Sequence, residues 1–150
     1  MPWSSPLALR AGPSRCQRLA LSTLARWDSY ARVNILLVDD DVDLCKLLSK
    51  YLERNGCTVF AANHPLQAFN VLEREQVGMV ITDFMMPHVD GMGFTEKLKA
   101  DPRYRDVPVI MITANATGNV AEQGHQKGVA KTLTKPFEFN ELLNLVRFVQ

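Results

Sequence analysis

The chain has 150 residues, of which 47% are hydrophobic and 22% are charged, and it contains eight glycines and three cysteines. This balance is typical of one soluble globular domain, and it excludes two large domains, a collagen-like chain and a disulfide scaffold. The three cysteines cannot all pair with one another, and no two of them form a CxxC motif. We therefore expect reduced thiols and a cytoplasmic location.

The net charge of +1 hides two segments of different character. Residues 1–32 carry five arginines and a single aspartate, whereas the rest of the chain has a small excess of acidic residues. The arginines interrupt the apolar runs, so this segment lacks the ~20 consecutive apolar residues of a membrane span and the apolar core of a secretory signal. We expect residues 1–32 to be a disordered leader or the product of a misassigned start, and residues 33–150 to form the domain.

A strand is predicted over residues 33–38, because the apolar run Val-Asn-Ile-Leu-Leu-Val is typical of a strand buried on both faces. An amphipathic helix follows it and ends at Asn55 and Gly56. The apolar side chains that recur in it at helical spacing are Leu44, Leu47, Leu48, Tyr51 and Leu52. The same alternation predicts strands over residues 58–61, 77–82, 108–113 and 132–134, and helices over residues 65–74, 94–100, 118–127 and 138–149.

Five successive strand–helix units indicate an α/β fold, a doubly wound parallel sheet with helices on both faces. Ligands of such sheets bind beyond the carboxyl ends of the strands. The loops after the strands are therefore the places where functional residues are expected. The polar residues found there are Asp39, Asp40, Asp41, Asp83, Thr113 and Lys135.

The acidic residues among these indicate a metal site. Carboxylates gathered at one sheet edge repel one another, so the arrangement costs stability unless a cation neutralises it. Oxygen ligands without a nearby His or Cys favour a hard cation, and few carboxylates completed by water suit Mg²⁺ better than Ca²⁺. Lys135 adds an ammonium and Thr113 adds a hydroxyl. A carboxylate flanked by Mg²⁺, an ammonium and a hydroxyl is suited to binding a phosphoryl group.

Each of these residues also has a simpler interpretation. The three consecutive aspartates could cap the following helix, since acidic residues favour helix N-termini. We expect Asp41 or its neighbours to do so and Asp39 with Asp40 to bind metal. Asp83 could be a turn residue, and Thr113 and Lys135 could be ordinary residues of strand ends. The occurrence of all of them at one edge favours the functional interpretation.

The sequence resembles the receiver domain of two-component response regulators, of the single-domain type. The resemblance covers residues 33–149, and its motifs lie at residues 35–41, 80–91, 109–114 and 135–137. It implies the flavodoxin-like (βα)5 sheet with strand order 2-1-3-4-5, which is the order known for this family.

The resemblance also implies roles for the residues at the sheet edge. Asp83 would be the nucleophile that accepts a phosphoryl group from a phosphohistidine on a sensor kinase or phosphotransfer protein. Thr113 and Lys135 would bind the phosphoryl oxygens. The protein would be a signalling receiver that catalyses its own aspartyl phosphorylation and dephosphorylation, with Mg²⁺ as cofactor. The ligands of that ion would be Asp39, Asp40, Asp83 and the backbone carbonyl of Met85.

The chain departs from the family pattern at one position and is informative at two others. The family usually has an aromatic residue three positions before the lysine, where this chain has Thr132. The usual coupling of phosphorylation to a surface signal is therefore in doubt. Met85 and Asn115 flank the expected path of the hydrolytic water. We expect the apolar side chain of Met85 to slow dephosphorylation relative to a Met85→Asn variant.

The segment after the last predicted helix contains no further motif, so we expect no DNA-binding output domain. The slightly acidic domain has no electrostatic footprint for nucleic acid, and no membrane association is expected. The expected partners are the kinase and an effector protein, which would dock around the fourth helix, the fifth strand and the fifth helix.

Two alternatives remain from the sequence. The first is a haloacid-dehalogenase-like phosphatase, because the segment Val-Asp-Asp-Asp-Val resembles its catalytic loop, with Asp39 as nucleophile and Asp41 as acid. In that family an acidic pair follows the lysine on a loop, whereas the acidic residues that follow Lys135 in this chain lie on a predicted helix. Asp83 would also have no role. The second is a degenerate receiver that acts only as an interaction module.

Overall fold

The structure is a computed structural model, and it describes residues 33–86, 90–114 and 118–149. These residues form alternating strands and helices. The strands are β1 (Asn34–Val38), β2 (Thr58–Ala62), β3 (Met79–Asp83), β4 (Val109–Thr113) and β5 (Lys131–Thr134). The helices are α1 (Val42–Arg54), α2 (Pro65–Arg74), α3 (Gly91–Ala100), α4 (Gly118–Gln126) and α5 (Phe139–Val149). The expected leader at residues 1–32 and the residue Asn115 lie outside the described residues.

The strands form one parallel sheet in the order β2-β1-β3-β4-β5. This confirms the predicted doubly wound, flavodoxin-like fold. Alternate side chains of each strand enter different cores, because successive residues of a strand point to opposite faces. Ile35 and Leu37 pack in a core with α1 and α5, whereas Leu36 and Val38 pack in a core with α2 and α3. Among the described helices, none is both long and apolar enough to cross a membrane.

The predicted inward face of α1 is wrong at one position. Leu47 is 56% exposed, and Cys45 is buried in its place. The buried line of the helix runs through Cys45, Leu48 and Leu52. Because successive helical residues are turned by about 100°, this line directs Leu47 to solvent. A free cysteine behaves as a small apolar side chain in such a position.

Some predicted element boundaries also shift. Strand β3 begins at Met79 rather than at residue 77 and includes Asp83. Helix α3 begins three residues earlier than predicted, because the Asp90 carboxylate accepts the Gly93 N–H at 2.6 Å and caps it. The sequence hid this start, since glycine is unfavourable in helices. The early start of α3 brings its first turn against the end of β3.

Candidate functional site

Asp39 directly follows β1 and is held by the neighbouring backbone. Its N–H donates to the Ala62 carbonyl at 3.1 Å, which extends the pairing of β1 with β2 by one residue. Its Oδ1 atom accepts the Asp41 N–H at 2.9 Å. The residue is only 2% exposed. The carboxylate is therefore fixed at the carboxyl edge of the sheet with little contact with bulk water.

Asp83 is the last residue of β3 and is 7% exposed. The backbone that follows it is held on two sides. The Phe84 N–H donates to the Ile112 carbonyl at 2.7 Å, and the Phe84 carbonyl accepts the Gly91 N–H at 2.8 Å. Asp83 thus lies between β4 and the first turn of α3, at the same sheet edge as Asp39.

Lys135 joins these two carboxylates. Its Nζ atom lies 3.4 Å from Asp83 Oδ1 and 3.6 Å from Asp39 Oδ2. Its backbone N–H donates to the Thr113 carbonyl at 2.7 Å, so the segment after β5 is held against the end of β4. Thr113 itself is 1% exposed. Four of the residues expected at the site therefore come from four different strand ends and meet at one edge.

The carboxylates form a compact cluster of oxygens. One oxygen from each of Asp39, Asp40 and Asp83 lies within 4.8 Å of the others. Asp41 has a different role, because its carboxylate accepts the Leu44 N–H at 3.1 Å and caps α1. The expectation that Asp41 caps the helix while its two predecessors join the cluster agrees with this geometry.

Burial and mutual repulsion change the acidity of the cluster. Burial raises the pKa of Asp39 to about 6, and the negative charge of Asp83 adds to the rise. The hydrogen bond from the Asp41 N–H acts in the opposite direction and lowers this pKa. Burial likewise raises the pKa of Asp83, although Lys135 opposes the rise. Burial alone would lower the pKa of Lys135, but the charges of Asp39 and Asp83 raise it overall. The site therefore combines a firmly held ammonium with carboxylates whose negative charge is only partly compensated.

The donor set fits a small hard cation. The cluster offers carboxylate oxygens and no nitrogen or sulfur ligand, which is the chemistry that Mg²⁺ prefers. A divalent cation there would offset the charge of Asp83, which adds to the effect of burial in raising the pKa of Asp39. Met85 follows Asp83 by two residues, and its side chain is 66% exposed. The described residues thus place three of the expected metal ligands together.

Sequence reasoning missed two residues that contact the site. The Asn63 Nδ2 atom donates to the Asp39 carbonyl at 3.0 Å, and the Cys45 Sγ atom donates to the same oxygen at 3.4 Å. Neither contact has a sequence signal, because the acceptor is a backbone atom and Asn63 is 24 residues from Asp39.

Comparison with known proteins identifies the family. The family model of the response regulator receiver domain matches residues 35–147 of this chain. The chain belongs to the response regulator receiver domain family. Asp39, Asp83, Thr113 and Lys135 all lie within the matched residues.

Two curated relatives are longer than the region that they share with this chain. Response regulator Rre1 of Synechocystis sp. is 36% identical over 116 residues, which cover 77% of this chain and 50% of that protein. Probable transcriptional regulator ycf29 of Pyropia yezoensis is 35% identical over 112 residues, which cover 75% of this chain and 50% of that protein. The chain therefore spans about half the length of these relatives.

Solved structures share the fold. The non-phosphorylated HemR receiver domain from Leptospira biflexa is 28% identical with a TM-score of 0.72, covering 78% of this chain and 93% of that one. The chemotaxis protein CheY4 of Vibrio cholerae has a TM-score of 0.76 at 24% identity, covering 79% of this chain and 99% of that one. At 24% identity, the similarity to CheY4 shows only a shared fold.

Proposed function

We propose that this receiver domain accepts a phosphoryl group on the carboxylate of Asp83. The donor is a phosphohistidine of a sensor kinase or a phosphotransfer protein. The observation that carries the proposal is the position of Lys135, whose ammonium lies within 3.6 Å of carboxylates from two different strand ends. A cation shared in this way is suited to a phosphoryl group bound between it and the nucleophile.

The transfer step follows from this arrangement. A carboxylate oxygen of Asp83 attacks phosphorus, and a P–O bond forms as the P–N bond to the donor imidazole breaks. The electron pair of the broken bond stays on the imidazole nitrogen. Lys135 binds one phosphoryl oxygen as a cation, and the Thr113 hydroxyl donates to another. In the later hydrolysis, water attacks phosphorus and the P–O bond to Asp83 breaks, with its electron pair returning to the carboxylate. The water loses a proton to solvent, and inorganic phosphate is released.

The acidic cluster would hold Mg²⁺ through Asp39, Asp40, Asp83 and the backbone carbonyl of Met85. When bound, the ion supplies Lewis-acid neutralisation of the phosphoryl oxygens. Two features of the cluster support this assignment. Its ligand atoms are all carboxylate oxygens, and these oxygens lie within 4.8 Å of one another. Asp39 and Asp40 then act as metal ligands, and Asp83 acts both as ligand and as nucleophile.

The phosphatase alternative assigns different roles to the same loop. It requires Asp39 as nucleophile and Asp41 as acid. The Asp41 carboxylate is engaged with the Leu44 N–H at the start of α1, whereas Asp83, which would have no role, lies in the acidic cluster. Both observations favour Asp83 as the reacting carboxylate, as does the family of the chain.

The output of the domain is a docking surface formed by α4, β5 and α5, where an effector protein reads the phosphorylated state. Thr132 lies in β5 and is half-buried, at the position where the family usually has an aromatic residue. Coupling from Thr113 to this surface would therefore lack the aromatic side chain that the family usually has at this position. We propose that residues 33–150 form the receiver domain.

Intact-mass analysis tests the proposal. The full chain is incubated with acetyl phosphate, with and without Mg²⁺. We expect a Mg²⁺-dependent gain of one phosphoryl group that Asp83→Asn abolishes. The matched control is Asp90→Asn, which changes an exposed helix-capping carboxylate to an equally good cap and should keep the adduct. An adduct that survives Asp83→Asn but not Asp39→Asn would support the phosphatase, and no adduct on the wild type would support a degenerate interaction module.

A further inference from the structure

Asn63 lies at the junction of β2 and α2, beside the first residue of the acidic cluster. In the register of the sheet, Val38 of β1 pairs with Ala62 of β2. Asp39 and Asn63 are the next residues along the two strands. The Asp39 N–H donates to the Ala62 carbonyl at 3.1 Å, as parallel pairing requires.

The pairing continues one step further through a side chain. The chain turns into α2 at His64, so its backbone leaves the sheet there. The Asp39 carbonyl instead accepts the Asn63 Nδ2–H at 3.0 Å. Cys45 contributes a second donor to this oxygen at 3.4 Å. The N–H and the carbonyl of Asp39 are therefore both held, the first by Ala62 of β2 and the second by Asn63 and by Cys45 of α1.

Asn63 is itself fixed in place. Its backbone N–H donates to the Gln67 Oε1 atom at 2.9 Å, from the first turn of α2. Its predecessor Ala62 is fully buried. A donor whose backbone is held in this way can orient its acceptor, because less freedom remains to absorb a displacement.

We propose that Asn63 is a positioning residue for metal binding, acting through the Asp39 peptide. The amide fixes the Asp39 main chain, so that the carboxylate is held among the oxygens of Asp40 and Asp83 before any ion arrives. Partners that orient metal ligands typically contribute a factor of about 10–100 to metal affinity. The inference rests on the proposed function, since it assumes that the acidic cluster binds Mg²⁺.

The chain offers a matched control at the amino-terminal end of β1, the strand that leads to Asp39. The Asn34 Nδ2 atom donates to the Gln76 carbonyl at 2.7 Å. Like Asn63, Asn34 uses its amide to hold a backbone carbonyl on a distant segment. Asn34 is the first residue of β1, whereas the acidic cluster lies beyond the carboxyl end of β1. Loss of either amide should affect folding similarly, but only Asn63 should affect the metal.

The experiment is calorimetric titration of Mg²⁺ into the full chain. The variants are Asn63→Ala, Asn63→Leu and Asn34→Ala, each with its urea midpoint measured. Leucine has the same branching and the same number of side-chain heavy atoms as asparagine but no donor, so it separates a lost hydrogen bond from a cavity. We expect both Asn63 variants to bind Mg²⁺ at least about tenfold more weakly than the wild type, and Asn34→Ala to bind as the wild type does.

A second readout needs no metal. In the Mg²⁺-free protein, hydrogen exchange of the Asp41 amide reports whether the Asp39 carboxylate still accepts it. Exchange there should be faster in Asn63→Ala and unchanged in Asn34→Ala. Should Asn63→Ala unfold, Gln67→Ala loosens the same residue from an exposed position and should weaken Mg²⁺ binding to a smaller extent.

The outcomes separate the two proposals. If the wild type binds Mg²⁺ and the Asn63 variants bind it equally well, Asn63 does not position the site and only this inference fails. If the wild type binds no Mg²⁺, the proposed metal site fails and the inference fails with it.

Discussion

Gly91 leaves no room for a Cβ atom beside the backbone carbonyl of Asp83. A Cβ built on it would overlap the Asp83 carbonyl oxygen and lie 3.1 Å from both the carbonyl carbon and the Phe84 Cα atom. These neighbours are backbone atoms, so they cannot move aside as a flexible side chain would. The first residue of α3 is thus packed directly on the residue that carries the proposed nucleophile.

Gly91→Ala should therefore damage both stability and the site. Overpacking of this kind costs about 1–3 kcal/mol, and the required shift displaces Asp83. Urea denaturation should show the loss of stability, and the yield of phosphorylated protein should fall. Gly118→Ala is the matched control, because a Cβ there meets no atom within 4 Å at the first residue of α4. Equal effects of the two substitutions would contradict the packing argument.

Asp41→Ala should weaken the fold while leaving the phosphoryl chemistry intact. The Asp41 carboxylate caps α1 by accepting the Leu44 N–H, and loss of such a cap costs about 1 kcal/mol. Phosphorylation by acetyl phosphate should persist, because Asp41 lies outside the acidic cluster. Asp41→Asn keeps a capping side chain and should be as stable as the wild type. Loss of the phosphoryl adduct in both variants would instead support Asp41 as a catalytic acid.

Met85→Asn should shorten the lifetime of the acyl phosphate. Met85 lies two residues after Asp83, and its apolar side chain would obstruct the water that attacks phosphorus. An asparagine could orient this water, and a tenfold faster release corresponds to about 1.4 kcal/mol in the barrier. Release of phosphate is followed after removal of the donor. The control is Leu66→Asn, which changes an equally exposed apolar residue on α2. A wild type that loses phosphate faster than Met85→Asn would refute this expectation.

The Cys57 thiol should make stability depend on pH in the alkaline range. Burial raises its pKa above the ordinary value of 9.0, although Arg147 opposes the rise. The folded chain therefore holds this proton more tightly than the unfolded chain. The stability that results is complete below the unfolded pKa and is lost as pH rises through the folded pKa.

Urea denaturation of the wild type and Cys57→Ala isolates this effect. The stability advantage of the wild type should be smaller at about pH 10 than at about pH 7. The comparison cancels the titration of the other two cysteines, because both proteins contain them. An advantage that does not change with pH would show that the thiol titrates alike in the folded and unfolded chains.

The fold and the central residues of the site could be predicted because each depends on a strong local pattern. Apolar runs separated by helical periods define the strand–helix alternation, and parallel topology then places every strand's following loop at one edge. Asp39, Asp83 and Lys135 needed no further information to be brought together. Their distances to one another agree with that expectation.

The residues that sequence reasoning missed depend on tertiary contacts. Leu47 matches the helical period, yet the face chosen by packing runs through Cys45. Gly91 appears unfavourable for a helix, yet only glycine fits against the Asp83 carbonyl. Asn63 binds a backbone atom of a residue distant in the chain. In each case the deciding partner lies on another element, where a local pattern carries no information.

The central claim is that Asp83 is the residue that carries the phosphoryl group, and chemical trapping tests it most directly. Borohydride reduces an aspartyl phosphate to homoserine, so the phosphorylated full chain is treated with it, digested and sequenced by mass spectrometry. We predict homoserine at position 83 in the sample treated with acetyl phosphate and Mg²⁺, and none in the sample without the donor. Homoserine at position 39 instead of 83 would contradict the account.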